Sequence, residues 1–456
     1  MSHDDTILRL REEARSIFDA GVEAADPHRA VVENIRTTDN GGLLIAGQEL
    51  SQPGQLKIVA IGKASCTMAA AAIDAMKAGG IREELLSTPG MVVVNRENAR
   101  ELSGFEVLAT GHPLPNEAGV RAAERIETYL AGGSAGQGIL VLISGGGSAL
   151  LPAPAAGLTL EDKRAVTELL LRGGADIREF NTVRKHLSRL KGGGLARIAA
   201  PSPTEVLILS DVFDDDLSAI ASGPAVPDPT TFDDAIEILK RYEIWKPSPE
   251  AIKQHLESGA RGHVEETPKP GNAIFENVQH QIIGSNAISL KAATERAREL
   301  GYELDVLAEP LTGEAREVAG GFIDVLRKVP RKGGSRRRCA YLAGGETTVT
   351  LRGSGKGGRN QEMALAIAAE AAGKSISVPW VFLSGGTDGR DGPTDAAGGV
   401  VDAKTIKRGE QGGDDPHRAL RDNDSYAFLR RSGDLLMTGG TGTNVADLQV
   451  LLYELE

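Results

Sequence analysis

Apolar positions along this chain recur with two different periods, and the two alternate. Between Thr6 and Ile35 they return every three or four residues, the spacing of one helix face, which predicts two helices. The run QLKIVAIG, Gln55 to Gly62, is continuously apolar over a strand's length, and the Ala-rich KASCTMAAAAIDAMKAG after it is helical. The succession then repeats. GMVVVN reads as a strand, NEAGVRAAERIETYLAG as a helix and GILVLISGG as a strand. EDKRAVTELLLRGG reads as a helix with Thr159 as its N-cap, and TEVLILSD as a further strand. Such alternation implies a mainly parallel sheet with helices on both faces.

The regularity weakens after Pro224. PAVPDPTTF, KPSPE and EETPKPGN bring prolines into a region of modest hydrophobicity, the character of an inter-domain zone. A second series follows: QIIGSN, a helix to Leu300, YELDVLA, a helix near Glu314–Val329, CAYLAGGETTVTLRG, NQEMALAIAAEAAG and VPWVFLSGGTDG. The expected architecture is two α/β domains, 1–240 and 241–456. The first is Rossmann-like, and the C-terminal tail is free to pack on it. A cleft between the domains is the expected place for substrates.

Charge and cysteine content narrow the function. A formal net charge of −12 argues against a general nucleic-acid or anionic-membrane binder. With only Cys66 and Cys339, a disulfide framework or cysteine-rich metal site is excluded, and the apolar runs are too short to span a bilayer. The acidic, amphipathic N-terminus is unlike a signal peptide, so the expected compartment is the reducing cytoplasm. Monomer and homodimer both stay open. Glycine, at 56 residues, falls largely in clusters between apolar runs, where it permits tight turns and close approach of backbone to ligand.

Those clusters lie at strand ends, where ligands bind in sheets of this class. The first half gives Gly62-Lys63-Ala64-Ser65, then Ser144-Gly145-Gly146-Gly147-Ser148, then Ser210-Asp211 with Asp214, Asp215 and Asp216. The second gives Gly344-Gly345-Glu346-Thr347 and Ser384-Gly385-Gly386-Thr387-Asp388. Glycine beside hydroxyl, lysine or carboxylate suits phosphate, and the carboxylates Asp211 and Asp388 suit a magnesium ion. Lys63 stands at a helix start, where the helix dipole disfavours it, so a ligand-directed charge is the better reading than a solvated one.

Gly353, Gly355 and Gly358 fit G-x-G-x-x-G between strand and helix, but no acid follows about 20 residues on, as a dinucleotide site requires. Lys356 and Arg359 on this loop suit phosphate instead. NTVRKHLSRLKGGGLA predicts a helix closed by Gly192 that carries Arg184, Lys185, His186, Arg189 and Lys191, at least one of them toward ligand. Asp211 could hold metal or take a hydroxyl proton. Asp388, Asp391 and Asp395 form a second acidic loop with turn-capping as a rival role. His112 in GHPLPNEAG reads as a hydrogen-bonding loop brace.

GHPLPNEAG, LISGGGSALLPAPAAGLTLEDK, NTVRKHLSRLKGGGLA, SDVFDDDLSAIASGP, GKGGRNQEMALA, GGTDGRDGPTDAAGG and TGTNVADL together resemble the class II glycerate kinases, in order from about Lys57 to Leu448. These enzymes join an N-terminal glycerate-kinase domain to a C-terminal MOFRL domain. The resemblance implies ATP- and Mg²⁺-dependent phosphorylation of D-glycerate to 2-phosphoglycerate. It also implies Lys63 and Arg359 as the principal catalytic pair, with Asp211 a third candidate. The chain departs from the family pattern at Asp214, usually Gly, and at Gly440, commonly Pro. Some members have carried the label hydroxypyruvate reductase, which keeps an NAD(P)H-dependent oxidoreductase as the alternative. A non-catalytic sugar-acid or nucleotide sensor is a third reading.

Overall fold

Alternate residues of the strand Gln55–Ile61 serve two different cores. Ile58 and Ala60 pack with Val92, Leu140 and Leu207 beneath Met68, Ala72 and Met76 of the helix Ser65–Ala78. Val59 and Ile61 pack on the other face with Val93, Val141 and Ile208 against Ala122 and Ile126 of the helix Glu117–Leu130. A period of two inside a fully apolar run is what a strand covered on both faces requires.

The protein is described by a computed structural model over residues 3–38, 42–50, 55–81, 86, 89–212, 214–329, 337–374 and 376–455. It divides into one unit of Pro27–Ile283 and a second made of the segment up to Asp26 with Gly284–Glu456. The first unit's six-stranded sheet runs Phe105–Thr110, Gly90–Asn95, Gln55–Ile61, Gln137–Ile143, Thr204–Leu209, Val278–Gly284. Its first five strands are parallel.

The second unit has a mixed six-stranded sheet in the order Glu303–Val306, Arg337–Gly345, Asp447–Leu455, Trp380–Gly386, Gly398–Asp402, Leu435–Leu436. Trp380 and Phe382 face one core with Phe322, Met363 and Ile367. Val381 and Leu383 face the other, with Leu10, Ile17 and Phe18 of the N-terminal helix His3–Ala24. Among the described residues, no helix is long and apolar enough to cross a membrane.

The predicted strands and helices are present, but the division of the chain differs from the expected 240/241. The first unit continues to Ile283, and the Pro-rich stretch belongs inside it. There, Phe232, Leu239, Ile252 and Leu256 of two short helices close a satellite core with Val166, Phe180 and Val183. The prolines punctuate short helices rather than a linker. QIIGSN lies in the edge strand of the first sheet, not at the start of the second series. Asp447–Leu455 of the C-terminal tail is an interior strand, antiparallel to both of its neighbours in the second sheet. The two N-terminal helices, His3–Ala24 and Pro27–Asn34, fall in different units.

Phe18 is fully buried in a core that the second unit could not complete from its own contiguous sequence. Phe18→Ala should therefore destabilise that unit by about 3–5 kcal/mol. Chemical denaturation followed by the fluorescence of Trp380, within the second sheet, checks the size of the loss.

Candidate functional site

Parallel registers set Ile61, Val93, Ile143 and Ile208 level across the first sheet. The residues that follow them, Gly62–Lys63, Ser144–Ser148 and Ser210–Asp211, therefore leave along one carboxyl edge. Two of these turns are joined directly. The Lys63 N–H donates to the Gly145 carbonyl (2.9 Å), and the Ala64 N–H donates to Ser144 Oγ (3.0 Å). Gly62 has φ +128°, and a β-carbon there would stand 2.2 Å from Ser144 Oγ, so the junction needs glycine.

The next two glycines bare backbone toward different groups. A β-carbon on Gly145 would lie 2.3 Å from Asp211 Oδ2. One on Gly146 would lie 3.1 Å from His112 Nε2 and 3.4 Å from Lys63 Cε. Lys63, His112 and Asp211 thus border one loop. Lys63 has no ion-pair partner among the described residues.

His112 departs from its expected role as a brace. The bracing carboxamide is that of Asn116, whose Oδ1 accepts from the Gly111 and Gly119 N–H groups at 3.1 Å each. Burial first, and then the charge of Lys63, lower the His112 pKa, with Glu97 acting the other way.

At its far end the loop meets a group of cations. Gly147 opens the single-turn helix Gly147–Leu150, and Lys191 Nζ donates to the Ser148 carbonyl (2.9 Å). Ser148 Oγ lies 2.7 Å from Ser222 Oγ, which donates to Asn181 Oδ1 (3.1 Å). Ala221 and Ser222, at φ 51° and 62°, hold a left-handed backbone that costs energy in any residue with a β-carbon. Lys163 Nζ donates to the Pro152 and Leu187 carbonyls (2.6 and 3.0 Å). Arg184 lies over the Phe180 ring, 4.9 Å from its centroid.

Among the described residues, Lys163, Arg184 and Lys191 have no carboxylate partner. Burial, followed by mutual repulsion with neighbouring cations, holds both lysines well below the usual range, and burial brings Arg184 down to about 10. The group is short of negative charge, the condition of an anion site.

Lys185 does not join it. The helix predicted to reach Gly192 ends at His186, and Lys185 turns to the buried Asp228, 3.5 Å away. In the acidic run, Asp214 pairs with Arg178 at 3.6 Å and accepts from the Asp216 N–H, while Asp216 accepts from Ser218. Those two acids serve the turn; Phe213 between them and Asp211 lies outside the described residues.

In the second unit, Arg359 opens the helix Arg359–Ala372 and is gripped from two sides. Its Nε and Nη2 bond both oxygens of the buried Asp447 (2.6 and 2.9 Å), and its Nη1 meets Glu346 (2.7 Å). This fixes the guanidinium plane while leaving outer N–H groups available. Asp388 Oδ1 accepts from the Arg390 N–H (2.9 Å) at the adjoining turn.

The glycine loop was expected to present Lys356 and Arg359 to phosphate, and the N–H groups of its first part, Arg352 to Lys356, are taken up within the protein. Arg352 and Gly353 donate to Asn423 Oδ1, Ser354 to Asp422 Oδ1 and Lys356 to Asp424 Oδ1. Gly353 and Gly355 are glycine because a β-carbon would stand 2.2 Å from Asp422 Oδ1 and 2.4 Å from Asp424 Cβ, respectively. The helix start is occupied too: Asp391 accepts from the Asn360 and Gln361 N–H groups (3.2 and 2.8 Å). The exposed side chain of Lys356 and the outer edge of Arg359 are open to a ligand.

Sequence reasoning missed Lys163, His112 as Lys63's neighbour, and Asp447. Lys163 had a signal: it shares the buried stripe Leu160, Lys163, Val166, Leu170, where a lysine is out of place. Asp447 stands alone at the head of an apolar strand.

Comparison with known proteins follows this geometry. Residues 13–257 match the family described as "Domain of unknown function (DUF4147)", and residues 339–447 match the MOFRL family. A Pyrococcus horikoshii relative named glycerate 2-kinase is 40% identical, over 98% of this chain and 98% of its own. A Thermotoga maritima relative named D-glycerate 2-kinase is 39% identical over 96% and 97%. An Agrobacterium vitis relative with the provisional name hydroxypyruvate reductase is 40% identical over 98% and 95%. The crystal structure of the Thermotoga maritima glycerate kinase superposes with a TM-score of 0.83 at 37% identity, covering 98% of this chain and 99% of that one.

Burial is the largest influence on Asp391 and, with the nearby charge of Asp447, raises its pKa to about 6 against the two N–H donors that lower it. A folded carboxyl that binds its proton more tightly than the unfolded one loses stabilising effect as pH rises from about 4 to about 6. Asp391→Asn cannot ionise, so its stability relative to the wild type should improve across that interval. Equilibrium denaturation of both proteins at the two ends checks it.

Proposed function

This chain belongs to the class II glycerate kinases, and on that premise we propose that it transfers the γ-phosphoryl group of ATP to the 2-hydroxyl of D-glycerate, giving 2-phosphoglycerate and ADP. The observation that carries this reading is the carboxyl edge of the first sheet. There Lys63 at one end of a glycine loop, and Lys191 with its neighbour Arg184 at the other, have no acid partner among the described residues. Phosphoryl transfer asks a protein for position and charge neutralisation more than for covalent chemistry, and that edge supplies both.

In this reading Arg184 and Lys191 take the anionic end of the hydroxy acid, and Lys63 meets the charge that develops on transfer. Arg359, oriented by Asp447, offers its outer N–H groups to the phosphoryl oxygens, and Lys356 assists with the nucleotide's charge. Glu346 holds the second side of Arg359.

Among the described residues no three His, Cys, Asp or Glu side chains gather as metal ligands. Magnesium therefore fits as an ion held mainly by ATP's phosphates, with Asp211 and Asp388 as single hard carboxylates beside it. Bound there, it would neutralise phosphate charge. Buried, unpaired Cys66 and Cys339 suit the cytoplasm.

The reductase reading has one relative's name in its favour. Against it, the G-x-G-x-x-G loop has the N–H groups of Gly353, Ser354 and Lys356 committed to Asn423, Asp422 and Asp424, and no acid follows about 20 residues on to hold a ribose.

Purified protein should form ADP only when D-glycerate and a divalent ion are both present. Hydride exchange between hydroxypyruvate and NAD(P)H without ADP formation would sink the kinase reading. Lys63→Ala and Arg359→Ala should each lower kcat by roughly 10²-fold with folding intact, and Arg359→Lys should not restore full activity, because the planar fork is lost. Lys191→Met should raise KM for D-glycerate more than KM for ATP. Lys185→Met should instead lower the melting temperature, since it strands the buried Asp228.

A further inference from the structure

We infer that His112 is the general base that takes the proton of the substrate's 2-hydroxyl, an assignment that rests on the kinase reading. The ring is placed as a base for this loop should be. Its Nε2 and the Lys63 Cε both look onto the bare backbone of Gly146, at 3.1 and 3.4 Å from where a β-carbon would stand. That backbone has φ +87°, and a side chain there would fill the space an acceptor hydroxyl needs.

The turn carrying His112 is held without it. Asn116 accepts from Gly111 and Gly119, Thr110 Oγ1 donates to the Leu150 carbonyl (3.2 Å), and Arg164 Nε donates to the Pro115 carbonyl (3.0 Å). Among the described residues the imidazole makes no hydrogen bond, so its ring nitrogens are uncommitted. A half-buried histidine that braces nothing and faces a lysine over a glycine loop has no structural task to account for it.

The charged groups facing the ring are Lys63, from the turn after the strand Gln55–Ile61, and Glu97, from the turn Arg96–Asn98. Lys63 and burial favour the neutral ring, the form able to accept a proton. In the step itself, the glycerate 2-oxygen forms a bond to the γ-phosphorus as the bond from that phosphorus to the β,γ-bridging oxygen breaks. The hydroxyl proton moves to the imidazole, and ADP leaves with the electron pair of the broken bond. Asp211 is the rival base. Its Oδ2 faces Gly145, the neighbouring residue of the loop, and is better suited to the metal-bound nucleotide.

The test is His112→Gln, with His112→Asn as a second variant in case the first folds poorly, each checked by circular dichroism and melting. Glycerate-dependent ADP formation is measured for wild type, both histidine variants and Asp211→Asn from acidic to alkaline pH. The expected result is a kcat lower by about 10²-fold or more in the histidine variants. In the wild type, kcat/KM should fall on the acid side only below the ordinary histidine range, and that limb should be missing from the variants. A folded variant with near-normal kcat overturns the assignment. So does a lowered kcat with the acid limb unmoved, which would make the ring a positioning group, and so does loss of the limb in Asp211→Asn alone. A wild type that forms no ADP sinks the kinase reading along with this one, whereas the other failures leave that reading standing.

Discussion

A backbone hydrogen bond from Lys63 N–H to the Gly145 carbonyl ties two strand-end turns together, and the candidate site of the first unit hangs from it. The bond forms because neighbouring parallel strands end level and because Gly62, at φ +128°, lets the chain pass within contact of Ser144. Any side chain at 62 would push the turns apart. With them would go the placement of Lys63 over Gly146, of Asp211 over Gly145 and of Lys191 against the Ser148 carbonyl. Precision here comes from backbone on a rigid sheet, and the side chains inherit it.

The two units solve opposite electrostatic problems. In the first, Lys163, Arg184 and Lys191 are satisfied by carbonyls or by a ring face and have no acid partner among the described residues, so an arriving anion would meet little competition. In the second, Arg359 is saturated on its inner side by Asp447 and Glu346. A guanidinium fixed in this way presents its remaining donors at one angle, and its strong charge is partly offset before any ligand arrives. The first unit thus leaves its cations open to an anion, while the second fixes the direction of one cation by carboxylates.

Much of this was legible in the sequence because each signal was local. The strands, the helices and the Thr159 cap followed from periodicity, and strand-end glycines located the loops. What failed depended on long-range partners. The Gly353–Gly358 loop fits G-x-G-x-x-G, but nothing near it in sequence shows that Asp422–Asp424, some 70 residues on, take the N–H groups of Gly353, Ser354 and Lys356. Asp447 pairs with a residue 88 positions away. Lys185 and Arg184 are adjacent in sequence, yet one faces Asp228 and the other lies over the Phe180 ring with no acid partner among the described residues, a distinction set by tertiary packing. The domain boundary failed for a different reason: prolines that mark a linker in one context mark helix ends in a satellite core in another.

Departures from local rules are informative through where they fall. Positive φ at Ala221 and Ser222 and lysines buried without acids among the described residues each lower stability, and the half-buried His112 ring contributes no hydrogen bond among those residues to offset them. Scattered over a fold of this size, they would read as ordinary imperfection. Here they converge on the five residues Ser144–Ser148, through the Ser222 hydroxyl, the Lys191 ammonium and the His112 ring. The surrounding sheet, apolar on both faces, is regular enough to tolerate that concentration of strain and charge. Packing of the sheet explains none of the three, and a loop that gathers them is where the charge of a ligand would be met.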